Sequence, residues 1–471
     1  MDEAHCDVLV IGAGPAGSAC ASVLASAGLA VTLVDQHHFP RDKVCGDALI
    51  PDAIAALRRL GLLDRVMAEA CRPAQVRCVA PSGRHADFDA ALAVLPRRRL
   101  DALLLEEAIG RGARFLPGLR FVGTVEARQG EAGGAGEVQA GKAQGSKAQA
   151  SKAQASEAQA GEARASEARA REALVQGGYF QQGTHPVAIR AYYTVLATGA
   201  SAAALHAAGM MTRRAASAMA ARIYVQVEKA QDDHAGGALT GALQVVWRKD
   251  LSPGYGWIFP GPQGIFNLGV GTFQDHRRAG RERPNLRTML DTFLAQNRGA
   301  QRLLEKGRVL GPLKGAPLRS TLGGARWWRP GLLVCGEAAG STYDFTGEGI
   351  GKALETGMLA AQSLLAGLKD CAPAGAAFEK SAGRVGDRWH ADDPGALYAH
   401  ELAQLRARFA LYERGNLINR KPWIAEVLVR LAQASPRLRA QMGLLLEERI
   451  TPDALLSASG LVRLMWARDV A

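Results

Sequence analysis

The chain has no uninterrupted apolar run near the ~20 residues that a bilayer-spanning helix needs, so contact with a membrane is compatible with it and crossing is not expected. It has seven cysteines, at 6, 20, 45, 71, 78, 335 and 371, an odd and scattered set with no C-x-x-C pair. That argues against a disulfide scaffold and fits a reducing cytoplasm. Residues Met1 to His5 carry no basic segment ahead of the first apolar run, so a secretory leader is not expected. Zinc-finger spacing, an aromatic RNA-binding signature and a dense basic arm are all missing. The formal net charge of +12 therefore suits an anionic cofactor or an anionic membrane surface better than nucleic acid, which is not expected as a partner.

What is present is enough apolar residue, 48% of 471, for two interleaved or serial domains. Residues 7–11 read as a buried parallel strand, Pro15 to Ala27 as a helix ended by Gly28, and Ala30 to Val34 as a second strand, together one βαβ unit. Between strand and helix stands Gly12-Ala13-Gly14-Pro15-Ala16-Gly17, a G-x-G-x-x-G turn. Gly12 allows the tight turn, Gly14 lets a pyrophosphate approach the backbone, and Gly17 lets helix and strand pack closely. The helix N-terminus then offers unpaired N–H groups and a positive dipole end to the phosphates. Asp35, followed by Gln36, closes the second strand where an acid accepts ribose hydroxyls.

A low-complexity insert spans about 129–173, with repeats such as Gly145-Ser-Lys-Ala-Gln. Its near-five-residue period accumulates no apolar stripe on a helix of 3.6 residues per turn, so it reads as disordered or as a solvated helix. It separates two strand-like stretches, Leu119 to Ala127 and Ala173 to Phe180, and so lengthens a hairpin loop. Residues from about 215 to 325 carry strand signals, Leu332 to Gly336 return to a buried strand, and the tail beyond about 375 is helical and Arg-rich. The expected layout is an α/β, Rossmann-type dinucleotide domain over 1–200, a β-rich substrate domain over 201–330, a final dinucleotide segment over 331–370, and a helical region over 371–471.

Later motifs separate FAD from NAD. Cys335-Gly336-Glu337-Ala338-Ala339-Gly340, followed by Thr346-Gly347-Glu348-Gly349-Ile350, resembles the second FAD fingerprint of the flavoprotein superfamily of aromatic hydroxylases, flavin halogenases and geranylgeranyl reductases. By that resemblance Glu337 holds the ribityl chain, and the helix opened at 346–350 points its N-terminus at the flavin. The stretch Arg41-Asp-Lys-Val-Cys45-Gly46 matches the superfamily's loop after the first βαβ unit, and Arg97-Arg-Arg-Leu100-Asp101 its R-x-x-L-D helix start. Gly199 belongs to a further strand-plus-turn at 194–199. Tyr255-Gly-Trp257-Ile-Phe259-Pro260, with Gly269-Val-Gly271 after it, is similar to the signature of the geranylgeranyl reductase family. On a strand, residues 255, 257 and 259 project from one face and make an apolar wall suited to a long unsaturated or aromatic substrate.

The resemblance implies an FAD enzyme that reduces carbon–carbon double bonds of an isoprenoid or other long unsaturated substrate by hydride transfer from reduced flavin. Tyr255, Trp257 and Phe259 would contact substrate, and Cys45 would donate a proton or simply let its loop approach the ring. The electron donor stays open among NADPH, ferredoxin and another reductant, and a separate donor protein is compatible with it. An FAD-dependent monooxygenase or halogenase acting on an aromatic compound is the alternative. By the same resemblance, Thr198 and Gly340 stand where hydroxylases usually carry Asp and His, and Asp344 where the family usually has Pro, departures that weaken that alternative. The tail residues Leu402, Leu405, Phe409, Trp423, Val427, Leu428 and Leu431 recur at helical spacing and would pack on the body, cover the substrate tunnel or touch a membrane. No metal site is expected.

Overall fold

A computed structural model describes residues 4–127, 173–213, 215–228, 241–273, 285–367 and 394–446. Two sheets organise them. The first has eight strands in the order β16 (Trp328–Arg329), β17 (Leu332–Val334), β10 (His185–Leu196), β1 (Ala4–Ile11), β2 (Val31–Asp35) and β7 (Arg114–Pro117). Its branch pairs β10 with β9 (Val175–Gln182) and β9 with β8 (Arg120–Glu126). The run β17–β10–β1–β2–β7 is parallel throughout. Parallel strands covered on both faces carry continuous apolar residues, and β1 shows this in Val8, Leu9 and Val10, all fully buried.

The second sheet has seven strands in the order β15 (Gly307–Leu318), β11 (Ala218–Val227), β14 (Ile265–Phe273), β13 (Gly254–Pro260), β12 (Ala242–Val246), β4 (Gln75–Val79) and β5 (His85–Asp89). The expectation of a β-rich unit confined to 201–330 is corrected here, because β4 and β5 come from the first hundred residues. They enter by the parallel pairing of β4 with β12, in register from Ala242↔Gln75 to Val246↔Val79. A two-stranded pair, β3 (Ala48–Leu49) with β6 (Ala93–Val94), lies between the two sheets in sequence.

The helices are α1 (Pro15–Ser26), α2 (Pro51–Arg59), α3 (Leu63–Glu69), α4 (Arg97–Gly110), α5 (Ala202–Ala207), α6 (Leu286–Gln296), α7 (Arg298–Lys306), α8 (Ile350–Gly367), α9 (Pro394–Gly415), α10 (Leu417–Arg420), α11 (Trp423–Ala434) and α12 (Pro436–Leu446). Helix α1 starts at a proline, whose missing N–H costs nothing at a helix start. It has small residues nearly all round and is buried nearly all round, packed against β1, β2, α4 and α8. Helices α6 and α7 cover the outer face of the second sheet through Met289, Leu290, Phe293, Ala300 and Leu303. The tail splits: Leu402, Leu405 and Phe409 of α9 enter the first core, while Trp423 and Val427 of α11 face outward. No helix among the described residues is long and apolar enough to cross a membrane.

The insert lies outside the described residues, save Ala173 at its end. Its flanks pair as the expected hairpin, from Arg120↔Gln181 to Glu126↔Val175, closed by Ala127 N–H donating to the Leu174 carbonyl at 2.9 Å. Loop length enters closure entropy only logarithmically, so deleting 131–171 and rejoining the strands with a short turn should shift stability by no more than about 2 kcal/mol, and upward. Thermal unfolding by circular dichroism, with flavin content of the purified protein, measures this. A colourless, aggregating product would mean that the insert packs on the core.

Candidate functional site

The first-sheet strands β1, β2 and β10 end at one edge, and the glycine turn lies there. Gly12 has φ +106, and a Cβ on it would stand 2.4 Å from the Ala197 carbonyl oxygen. A Cβ on Gly17 would fall 1.8 Å from the Gly12 carbonyl oxygen. Both glycines are therefore demanded by backbone packing. Gly14 is different. Its φ of −75 suits any residue, and the nearest atom to its missing Cβ is the end of the Arg41 side chain, at 3.5 Å. Neither conformation nor packing requires glycine there, which leaves a ligand that must touch the backbone. The α1 N-terminus beside it has no side-chain cap.

Asp35 is buried and already employed: Oδ2 accepts the Ala13 N–H and Oδ1 the His37 N–H, both at 2.9 Å. It therefore ties the glycine turn to the end of β2, and a ribose would share oxygens that already accept one bond each. Thr198, following β10, has its Oγ1 buried with no hydrogen-bond partner among the described residues. An open backbone cradle, an uncapped helix N-terminus and an orphaned hydroxyl on one cleft wall fit a dinucleotide.

From this end a single cavity of about 660 Å³ runs to the second sheet. Of the residues singled out in the sequence, Gly12, Gly14, Pro15, Ala16, Asp35, Gln36, Arg41, Cys45, Gly46, Arg97, Gly199, Glu337, Gly347, Gly349, Ile350, Tyr255, Trp257 and Phe259 line it. Gly17 and Gly336 do not. Gly336, at φ +65, lies so close to α1 that a Cβ on it would stand 2.7 Å from the Ala16 Cβ, so it serves the packing of α1. Arg41 pairs with Asp101 at 3.0 Å, and Arg97 with the same carboxylate at 2.6 and 2.8 Å. Asp101 thus fastens both arginines under the loop. Glu337 lies 3.9 Å from Lys43 Nζ, and its Oε2 is 3.5 Å from where a Gly199 Cβ would stand.

At the turn before α8, Glu348 alters the expected electrostatics. Its Oε1 accepts the Gly351 N–H at 2.9 Å, so a carboxylate already sits on the helix N-terminus whose dipole the sequence assigned to the flavin. The loop ahead of β3 carries Cys45, half-buried. Burial pushes its thiol up to about 11 against the pull of Arg97, so Sγ keeps its proton at neutral pH. Asp47 follows at φ 69, its carboxyl pushed up to about 6 by burial and pulled back by hydrogen bonds from Tyr224 and Asn267.

The aromatic wall stands on β13. Tyr255, Trp257 and Phe259 are contiguous, with ring centroids 6.2 and 6.1 Å apart, while a Cβ on the intervening Gly256 would strike Phe293 of α6 on the opposite face. The partner strand explains Gly269, the first glycine of the motif. Trp257 pairs with Gly269 and Tyr255 with Gly271, and a Cβ on Gly269 would lie 2.2 Å from the Trp257 ring. A larger residue at 269 would tip the indole off the sheet. The Tyr255 hydroxyl donates to the Thr346 carbonyl, pinning the wall to the turn before α8.

Sequence reasoning missed several participants. Trp247 lines the same cavity, and its Nε1 donates to Asn419 Oδ1 at 2.9 Å. Asn419 also donates to the Phe345 carbonyl at 2.8 Å, so α10 closes this end of the cleft. Asn267, Asp47 and Tyr224 form a buried network behind the wall. A polar amide in the middle of an otherwise apolar strand, Phe266-Asn267-Leu268, is the overlooked sequence signal of it.

Comparison with known proteins agrees with this geometry. Residues 5–151 match the FAD binding domain family. The menaquinone reductase of Mycolicibacterium smegmatis is 30% identical over 77% of this chain and 76% of its own length. A geranylgeranyl bacteriochlorophyll reductase-like protein of Thermoplasma acidophilum has the same fold, with a TM-score of 0.63 at 18% identity over 98% of this chain and 96% of that one. A flavin-dependent brominase shares the fold at a TM-score of 0.57 and 18% identity, over 93% and 94% of the two chains.

The cofactor is FAD, and Gly14→Val tests its placement. A branched side chain would fill the cradle beside Arg41 while leaving the backbone conformation accessible. The variant should fold and purify colourless. Flavin released on denaturation and measured by absorbance decides it; normal stoichiometry would refute the placement.

Proposed function

The chain belongs to the family of FAD-dependent reductases that includes the menaquinone reductase of Mycolicibacterium smegmatis, and from that premise we propose that it reduces a carbon–carbon double bond of an isoprenoid or other long unsaturated substrate. One observation carries the reading: the aromatic wall and the dinucleotide cradle line the same cavity. Beyond Tyr255, Trp257 and Phe259 that cavity continues along Val76, Cys78, Leu92, Leu243 and Val245, an apolar passage suited to a polyene chain.

Bound FAD supplies the hydride chemistry that protein side chains lack. The chain's own residues do the rest. The α1 N-terminus, Gly14 and Arg41 hold the pyrophosphate. Gly46, close under Phe259, lets the Cys45 loop lie against the wall. The rings exclude water and orient the double bond. Cys45 holds a proton at Sγ and delivers it to the carbon that does not receive the hydride.

The test is the mass of a prenyl substrate incubated without oxygen with dithionite-reduced enzyme, which removes the natural electron donor from the question. A gain of about two mass units is expected, the two hydrogens that reduction adds. Trp257→Ala should cost turnover far more than FAD binding, and Cys45→Ser should slow turnover with flavin retained. No anaerobic turnover across a panel of prenyl lipids, together with oxygen-dependent hydroxylation or halogenation of an aromatic compound, would move the protein to the monooxygenase or halogenase class.

A lipid-like substrate calls for a membrane surface, and α10–α11 suits one. Helix α11 buries Ala425, Val429 and Ala432 yet exposes Trp423 at 61% and Val427 at 43%, with Leu417 at 44% just before it. Exposed Arg420, Lys421 and Arg430 flank these apolar groups, the pattern of a peripheral contact with anionic lipid. Co-flotation with vesicles containing anionic lipid should fall about tenfold in Trp423→Glu, since burying a charge at the interface opposes the apolar gain. Equal flotation of the two proteins would sink this part of the proposal.

A further inference from the structure

We infer that Asn267 is the positioning residue that keeps the substrate wall in register with the cofactor loop, an inference that rests on the reductase reading above. Its amide joins the two parts directly. Oδ1 accepts the Trp257 indole N–H at 2.9 Å, and Nδ2 donates to the Cys45 carbonyl and to Asp47 Oδ2, each at 2.7 Å. Asn267 is 2% exposed, and it sits on β14 opposite Phe259. The chemistry allows only this orientation of the amide: turned over, it would set N–H against N–H and oxygen against two acceptors.

The three contacts act on one ring and one loop. Gly269 leaves room for the Trp257 ring to lie flat on β14, and the bond to Asn267 then fixes its rotation in that plane. The same amide holds the backbone at Cys45, two bonds from the thiol's own Cα. The ring that orients the substrate and the thiol that would protonate it therefore share an anchor. Asp42 and Asp47 tie the loop to other points of the sheet, through Arg222, Lys314 and Tyr224, and the Asn267 amide bonds both the Trp257 ring and the Cys45 backbone. A leucine at 267 fills a similar volume and leaves the indole N–H and the Cys45 carbonyl without this partner. An aspartate keeps the acceptor for Trp257 but faces Asp47 at hydrogen-bond distance, so the two carboxyls must share a proton.

The groups around Asp47 are named by the structure: Tyr224 donates to Oδ2 at 2.6 Å, the Arg97 N–H to Oδ1 at 3.2 Å, and the Arg222 guanidinium and Cys45 stand nearby. Burial already favours the protonated form of this carboxyl. Protonation as pH falls thus restores a donor between 267 and 47 in Asn267→Asp, whereas Asn267→Leu has nothing to regain.

The experiment uses the FAD-loaded enzyme and the variants Asn267→Leu, Asn267→Asp and Trp257→Phe. One readout is independent of the substrate: the rate at which N-ethylmaleimide modifies Cys45, followed by peptide mass. Another is kcat and KM for a prenyl substrate with dithionite. Asn267→Leu should keep its flavin, label at Cys45 about tenfold faster, and lose about tenfold in kcat, the scale of one lost buried hydrogen bond. Asn267→Asp should resemble it at alkaline pH and return toward wild-type kcat as pH falls, starting above the value of about 6 for Asp47 beside the amide, because two facing carboxyls hold their shared proton more tightly, after correction for the wild-type profile. In the Trp257→Phe background, which has no indole N–H, the kcat loss from Asn267→Leu should shrink. Unchanged labelling and kcat in Asn267→Leu would overturn the inference, as would a pH-independent defect in Asn267→Asp, which also serves if the leucine variant fails to fold. If wild-type enzyme reduces no prenyl substrate, the reductase reading falls, while the labelling rates still decide whether Asn267 ties loop to wall.

Discussion

The structure depends on one close approach, at the head of the first sheet. There the glycine turn, the start of α1, the end of β10 and the middle of α8 meet with no space for side chains. The Gly12 carbonyl lies where a Gly17 Cβ would be, the Ala197 carbonyl where a Gly12 Cβ would be, and the Ala16 carbonyl 2.1 Å from where a Gly357 Cβ would be. Each glycine loses more conformational freedom on folding than alanine would, a cost of roughly 0.5–1 kcal/mol. The return is a helix N-terminus brought against the strand ends with its N–H groups facing the cleft. Without that approach the cofactor has no cradle, and the wall of β13 faces an empty space.

A second constraint joins the two sheets. The loop from Arg41 to Asp47 belongs to the dinucleotide side, yet its acids reach across. Asp42 pairs with Arg222 and with Lys314, the latter at 2.7 Å, and Asp47 accepts from Tyr224 and Asn267. Arg222 is almost wholly buried and also stacks on Tyr224, 3.9 Å above its ring. Buried charges of this kind are weak contributors to net stability, because desolvation offsets attraction, but removing one partner leaves the other uncompensated. Their effect is to fix one relative placement of loop and sheet. That placement brings Cys45 to the aromatic wall.

The C-terminal helices act on the same cavity from a third direction. Asn416 donates to Asp344, and Asn419 reaches both Trp247 and the Phe345 carbonyl. Asp344 thus has a structural use here: it accepts from Ser320 at 3.0 Å as well as from Asn416. Gly340 likewise makes room, since a Cβ there would stand 2.8 Å from the Arg213 guanidinium. Both positions are thus occupied by side chains arriving from distant segments.

The sequence by itself determined what depends on local geometry. The βαβ unit, the glycine turn, the dinucleotide class of ligand and the one-sided aromatic strand all follow from spacings of a few residues, because strand and helix periods act over that range; FAD in particular came from the family resemblance of the later motifs. The sequence also marked the hairpin that flanks the insert. What only tertiary structure decided has a common physical origin, contact between residues far apart in the chain. Strands β4 and β5 join the second sheet through backbone bonds to β12, which no local pattern encodes. Asp35 spends its carboxylate on Ala13 and His37, and Arg97 on Asp101, because each lone pair and N–H takes the partner that folding brings within 3 Å. Asn267 lies 222 residues from Cys45, and its role exists only where β14 passes beneath the loop. Directional bonds at such separations are set by the packing of whole sheets, and a sequence read along its length does not contain them.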